Sequence, residues 1–180
     1  MKSPPTIKTR RLFLRAFRLA DAPVVQRLAG VFEIADTTLN IPHPYPEGAA
    51  AGWISSHPVD FKQQRAVHFA ITRHKTAELI GAISLMNIEK EHRRAEMGYW
   101  ICREHWNQGF ATEAARAVVA YGFDSLNLRR IFASYFMRNP ASGRVLGKIG
   151  MQEEGILRAH VQKWGRPEDL VICGIMSNNP

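Results

Sequence analysis

A chain of 180 residues with 46% apolar and 22% charged residues has the balance of one folded domain, residues 1–180, and excludes an intrinsically disordered polymer. The 24 lysines and arginines against 16 aspartates and glutamates leave a net charge of +8, which favours polyanionic partners, either nucleic acid or a phosphorylated small molecule. Cys102 and Cys173 lack a CxxC partner, Met1–Pro5 lacks the apolar core of a signal peptide, and no run approaches the ~20 apolar residues of a membrane span, so a cytoplasmic protein with reduced thiols and no membrane partner is expected.

The first predicted element is a strand over Arg11–Phe17, where R-L-F-L-R-A-F puts Leu12, Leu14 and Ala16 on one face. Asp21 reads as the N-cap of a helix carrying Val24, Val25, Leu28 and Ala29 and ending near Gly30. Ile41 to Pro46, I-P-H-P-Y-P, predicts a loop, because prolines remove donors and restrict the residues before them. A second helix is expected from about Pro46 to Gln63, kinked or interrupted at Pro58. Strands follow over Val67–Thr72, Glu78–Met86 and Met97–Cys102. After Gly109 the period becomes helical, with Phe110, Ala114, Ala117, Val118 and Tyr121 on one side. Arg130–Phe136 predicts a strand, and Pro140–Ile149 a short helix with proline in its first turn and Gly150 past its end. Two last strands, Glu153–His160 and Leu170–Ile175, flank a turn centred on Gly165-Arg166-Pro167. Strands that outnumber helices and come in runs indicate an α+β fold with a mixed sheet.

The strongest local signal is the junction before the helix at Gly109. A helix amino terminus carries unpaired N–H groups and partial positive charge, so it suits a phosphate wherever the backbone can be approached. Gln108-Gly109-Phe110-Ala111 supplies small residues there, and Thr112 adds a hydroxyl. The patterns of a triphosphate-binding loop and of a dinucleotide site are both missing.

Several segments together carry a resemblance: Glu96 to Ile101 (E-M-G-Y-W-I), Trp106 to Ala114 (W-N-Q-G-F-A-T-E-A), Asn139 to Met151 (N-P-A-S-G-R-V-L-G-K-I-G-M) and Asp169 to Ile175 (D-L-V-I-C-G-I). With Thr9 to Arg15 (T-R-R-L-F-L-R) and Pro42 to Pro46 (P-H-P-Y-P), they resemble the Gcn5-related N-acetyltransferases (GNAT), in particular the RimJ/RimL-like branch of ribosomal-protein alanine acetyltransferases. The resemblance implies a mostly antiparallel mixed sheet of about seven strands and about four helices, split into a V between two central parallel strands, here Met97–Cys102 and Arg130–Phe136. It also implies that acetyl-CoA lies in the split, its pantetheine arm pairing with backbone groups near Ile101 and Cys102 as an added strand would. The pyrophosphate would rest on the N–H groups of Gln108, Gly109, Phe110, Ala111 and Thr112. Asn139 and Ser142 would touch the cofactor, with Arg144 and Lys148 adding positive charge. The implied activity is transfer of an acetyl group to a primary amine, on a protein N-terminus or a small molecule, by direct attack in a ternary complex.

That chemistry needs a base, an acid for the leaving thiolate and an oxyanion site. Glu96 and His160 are the candidate bases. Where many members of the wider family carry tyrosine, this chain has Leu146; the alanine-acetyltransferase branch often has serine at the Ser142 position, and that resemblance makes Ser142 the candidate acid. Cys102 is read as a core thiol rather than a nucleophile. Tyr45 and Trp53 are expected at the acceptor pocket. The histidines show no metal-ligand spacing, so no metal is expected. Two other readings are a CoA-binding protein without turnover and a basic RNA-binding domain, the latter disfavoured because the positive residues are dispersed. A homodimer through an exposed sheet edge would be consistent with the pattern.

Overall fold

The alternation at the amino terminus does form strand β2, Leu12–Arg15, with Leu12 and Leu14 buried, preceded by a two-residue strand β1, Ile7–Lys8. The computed structural model describes residues 3–177; Met1 and Lys2 of the leader reading lie outside them. Helix α1, Ala22–Ala29, starts after Asp21 and turns Val25 and Leu28 inward. Asp21 does not cap it through its side chain. The carboxylate is bound by Arg15 and by the Arg18 backbone N–H instead.

A short helix α2, Phe32–Asp36, precedes the proline loop, and α3, Ala49–Lys62, runs through Pro58. Strands β3 (Val67–Arg73), β4 (Leu79–Glu89) and β5 (Arg94–Ile101) form an antiparallel meander. Helix α4 (Phe110–Asp124), β6 (Arg130–Phe136) and α5 (Pro140–Lys148) follow. A long hairpin of β7 (Gln152–Lys163) and β8 (Arg166–Met176) ends the chain. Its strands are far longer than the sequence predicts, and its turn is at Trp164-Gly165. Pro167 is tolerated within β8 because β6 pairs with β8 only from Leu170 onward, so no second neighbour needs its missing N–H.

Among the described residues eight strands make one sheet in the order β1-β2-β3-β4-β5-β6-β8-β7. All pairs are antiparallel except β5 with β6. Side-chain alternation divides the sheet into two faces. One face, with His68, Ser84 and Glu96, meets α3 through Trp53 and His57. The other carries α4 and α5: Phe69 meets Tyr121, and Tyr99 meets Ser142. Among the described residues no helix is long and apolar enough to cross a membrane.

Candidate active site

The parallel strands β5 and β6 pair only over Arg94↔Arg130, Ala95↔Ile131 and Glu96↔Phe132. Beyond Glu96 they diverge, and β5 continues for five residues paired with β4 alone. The amide of Cys102 donates to Ile80 O at 2.8 Å on β4. Strand alternation therefore turns the backbone groups of Met97, Tyr99 and Ile101 into the opening. The split is part of a cleft of about 750 Å³ that passes from one face of the sheet to the other.

At one end of the cleft is the start of α4. Gly109 has φ +76°, a left-handed conformation suited to glycine, and no side chain caps the helix. The first intrahelical bond runs from Glu113 N to Gly109 O, so the N–H groups of Phe110, Ala111 and Thr112 have no partner within the helix. Arg11, brought from β1–β2, lies beside this end. It donates to Gln108 O at 2.9 Å, binds Glu113 at 2.6 Å and stacks 4.4 Å over the Phe110 ring. Thr9 and the Arg11 amide also bind Glu113. Burial acts to raise the Glu113 carboxyl, but these bonds hold it below the usual carboxylate range. Arg144 and Lys148 of α5 line the same cleft. The result is a helix end free of plugging side chains, flanked by positive charge.

On the α5 face, Tyr99 Oη is 2.8 Å from Ser142 Oγ, and Asn139 caps α5 by accepting from the Ser142 amide. Burial pushes the Tyr99 phenol up to about 12, against the opposing Ser142 hydrogen bond, with Cys173 adding to the rise. Tyr99 thus stays a neutral donor at ordinary pH. Leu146 is fully buried in the core, so no acid stands at that position. Gly143 matters here: a Cβ would sit 2.6 Å from Tyr135 Oη.

At the apex of the split, Glu96 lines the cleft and accepts from Asn87 Nδ2 at 3.0 Å. Tyr45 and Trp53 line the wall on the α3 face. Gln26 holds the loop by donating to Tyr45 O and Pro46 O.

The cleft thus gathers Glu96, Ile101, Gly109, Phe110, Ala111, Thr112, Asn139, Ser142, Tyr45 and Trp53 from the sequence-predicted set. Three residues fall outside it. His160 is exposed on β7, away from the lining, and so is not placed to act as base there. Cys102 gives its amide to β4, and burial, with Glu104 and Glu78 nearby, pushes its thiol up to about 12, which agrees with a core thiol. Gln108 spends its carbonyl on Arg11 and its side-chain amide on Glu104 O. Ile101 keeps its place, but its carbonyl already accepts from Trp106 Nε1 at 2.6 Å. Sequence reasoning missed Tyr99 as the partner of Ser142 and Arg11 at the helix end. Both contacts join segments far apart in the chain.

An acetyltransferase (GNAT) domain model matches residues 11–152. The chain belongs to the GNAT family. As a GNAT enzyme it is an N-acyltransferase, and the eight strands and five α-helices among its described residues exceed the expected seven and four by β1 and α2. It is 36% identical over 172 residues to the uncharacterized N-acetyltransferase YoaA of Bacillus subtilis (strain 168), covering 96% of this chain and 97% of that one. It is 37% identical over 84 residues, 47% of each chain, to the ribosomal-protein-serine acetyltransferase of Escherichia coli (strain K12). RimJ of Mycobacterium smegmatis, solved in complex with CoA-disulfide, shares the GNAT fold at a TM-score of 0.87 and 24% identity, over 97% of this chain and 88% of that chain.

Proposed function

We propose that this GNAT enzyme transfers the acetyl group of acetyl-CoA to a primary amine, with a protein N-terminus as the acceptor class. The observation that carries the reading is the open split with an uncapped helix end beside it. Unpaired strand backbone suits the amide-bearing pantetheine arm, and the Phe110–Thr112 N–H groups with Arg11 suit the pyrophosphate. The N–H groups of Met97 and Tyr99 are oriented to receive the developing oxyanion. The leaving thiolate takes a proton from Ser142, whose hydroxyl is replenished from Tyr99.

The cleft is polarised: Arg144 and Lys148 stand at the cofactor side, and Glu96 is a carboxylate at the apex. An amine arrives as a cation, and Glu96 attracts it. A carboxylate beside an ammonium favours the charged form, so Glu96 serves capture better than deprotonation. The relatives named for ribosomal proteins support a peptide N-terminus as acceptor.

Acetyl-CoA at 100 times its dissociation constant is expected to stabilise the fold by about 2.7 kcal/mol, read as a rise in thermal midpoint, with no such rise from single-stranded RNA at physiological salt. Thiol release should then appear with a peptide bearing a free N-terminal alanine or serine. Stabilisation by RNA instead of acetyl-CoA would remove the proposal.

A further inference from the structure

Two polar residues lie inside otherwise apolar strands, His68 in V-H-F-A-I of β3 and Ser84 in A-I-S-L of β4, directly opposite each other in the register. Both are buried, at 8% and 5% exposure, a placement that is costly unless each finds a partner. They find each other: His68 Nδ1 is 2.7 Å from Ser84 Oγ. The far nitrogen of the ring, Nε2, lies 4.0 Å from Asp60 Oδ2 of α3. A carboxylate on that side favours the tautomer with N–H on Nε2, which leaves Nδ1 to accept the Ser84 hydroxyl proton. His57 stacks on the His68 ring at 4.1 Å and Trp53 meets it edge-on at 5.8 Å, fixing its plane.

The other side of Ser84 faces the cleft. Its neighbour across to β5 is Gly98, and a Cβ there would stand 2.8 Å from Met86 Cε. The Met86 methyl group packs over Gly98, and Ser84 and Met86 both line the cleft wall there. Glu96, two residues back on the same face, holds the position where a cationic amine would be drawn.

We propose that Ser84 takes the proton of the incoming amine and hands its own to His68, whose imidazolium is held by Asp60. The inference rests on the acetyltransferase reading above. In bond terms, an N–H bond of the ammonium breaks as a Ser84 O–H bond forms, and the original Ser84 proton moves to His68 Nδ1. His68 then releases its Nε2 proton past Asp60 to solvent, and proton exchange with solvent restores the Nε2–H tautomer before the next turnover. The freed amine lone pair forms the C–N bond; as the C–S bond breaks, the thiolate takes the Ser142 proton on the opposite face, the adduct nitrogen gives its second proton to solvent, and the Tyr99–Ser142 pair regains one proton from solvent. Ser84 is thus a catalytic residue; His68 and Asp60 act through it.

The ionisable groups facing His68 are His57 and Asp60 of α3; β4 presents the neutral Ser84, and Asp60 is itself paired with Arg65. Burial lowers the His68 pKa, opposed by Asp60, so the ring is neutral and able to accept at neutral pH.

The test compares wild type with Ser84→Ala, Ser84→Thr and His68→Gln. It measures thiol release from acetyl-CoA with an alanyl peptide amide, spermidine and an aminoglycoside as acceptors. At neutral pH, Ser84→Ala should lower kcat/KM for the best acceptor about 100-fold, with the gap shrinking below roughly tenfold near the amine's own pKa, where it arrives neutral. Ser84→Thr should restore most of the rate, and the thermal shift with acetyl-CoA should not change. A loss of equal size at every pH, or none, overturns the relay and leaves the transferase standing. Thiol release with no acceptor overturns both. Nitrogen-15 NMR of wild-type imidazoles provides an arm independent of turnover: His68 must be neutral with its proton on Nε2 at neutral pH, and the other tautomer or an imidazolium overturns the relay alone.

Discussion

The Tyr99 phenol lies 2.8 Å from the Ser142 hydroxyl, on the face of the sheet opposite Ser84 and Glu96. Either oxygen can donate, and the raised phenol pKa keeps Tyr99 protonated well beyond neutrality. In the proposed mechanism the pair serves the leaving group and contributes little to ground-state binding. Ser142→Ala is therefore expected to lower kcat about 100-fold while acetyl-CoA affinity changes less than about threefold. Tyr99→Phe, which spares the serine, should cost about tenfold. Equal losses in kcat and in cofactor affinity would assign the pair to binding.

Arg11 joins the amino-terminal strands to the start of α4 through Glu113, Gln108 and the Phe110 ring. Its ion pair with Glu113 is partly exposed, at 40% and 17%, so screening limits its worth to about 1 kcal/mol. Its charge beside the helix end matters more for an anionic ligand. Arg11→Ala should weaken acetyl-CoA binding about tenfold at low salt and less at high salt, while the apo thermal midpoint drops only a few degrees. Titration calorimetry at two ionic strengths checks both parts. A salt-independent loss would mean that Arg11 acts by shaping the loop.

The uncapped helix start proposed for the pyrophosphate was legible in the sequence because its parts are contiguous: Gly109 and the small residues after it lie on one turn of one helix. Strand β6 was legible to the residue for a similar reason, since R-I-F-A-S-Y-F is a compact contiguous run rich in aromatic and β-branched residues. Helix α2 was not, because five residues hold too little of a period, and Val31 offers no capping side chain. The hairpin strands were cut short because Val161-Gln162-Lys163 and Arg166-Pro167-Glu168-Asp169 are mostly polar, and only their mutual register makes them strands. Contacts such as Tyr99–Ser142, Arg11–Glu113 and His68–Ser84 depend on which strands neighbour one another. Periodicity specifies faces but not neighbours.

Lys163 at the tip of the hairpin is buried, and its ammonium donates to Leu39 O at 3.1 Å and Ile41 O at 2.9 Å. Both carbonyls belong to the loop lining the acceptor side of the cleft. Burial lowers the Lys163 pKa, with Asp36 opposing and Arg138 adding to the fall. Lys163→Met keeps the stem but leaves two carbonyls without their donor. The acceptor KM is expected to rise about tenfold with little change in acetyl-CoA affinity, since the two carbonyls belong to the loop and not to the α4 end. Parallel changes for both substrates would contradict this division of the cleft.

His57 makes acid stability a test of the α3–β3 packing. The ring is 9% exposed, and neither nitrogen has a hydrogen-bond partner among the described residues. Burial lowers its pKa from 6.5 to about 3, His68 lowering it further and Asp60 opposing. Above the unfolded pKa neither state binds the proton, and His57 has no effect on the pH dependence. As pH falls below it, the unfolded chain takes a proton that the folded ring refuses, so stability declines by about 1.4 kcal/mol per pH unit until the folded pKa is reached. At about pH 5 the loss from this residue is about 2 kcal/mol. His57→Phe preserves the aromatic stack and removes the titration. Urea unfolding should show the variant losing less stability than wild type between neutral pH and about pH 5. If the two lose stability in parallel, His57 is protonated in the folded protein and the packing around it is more open than the structure indicates.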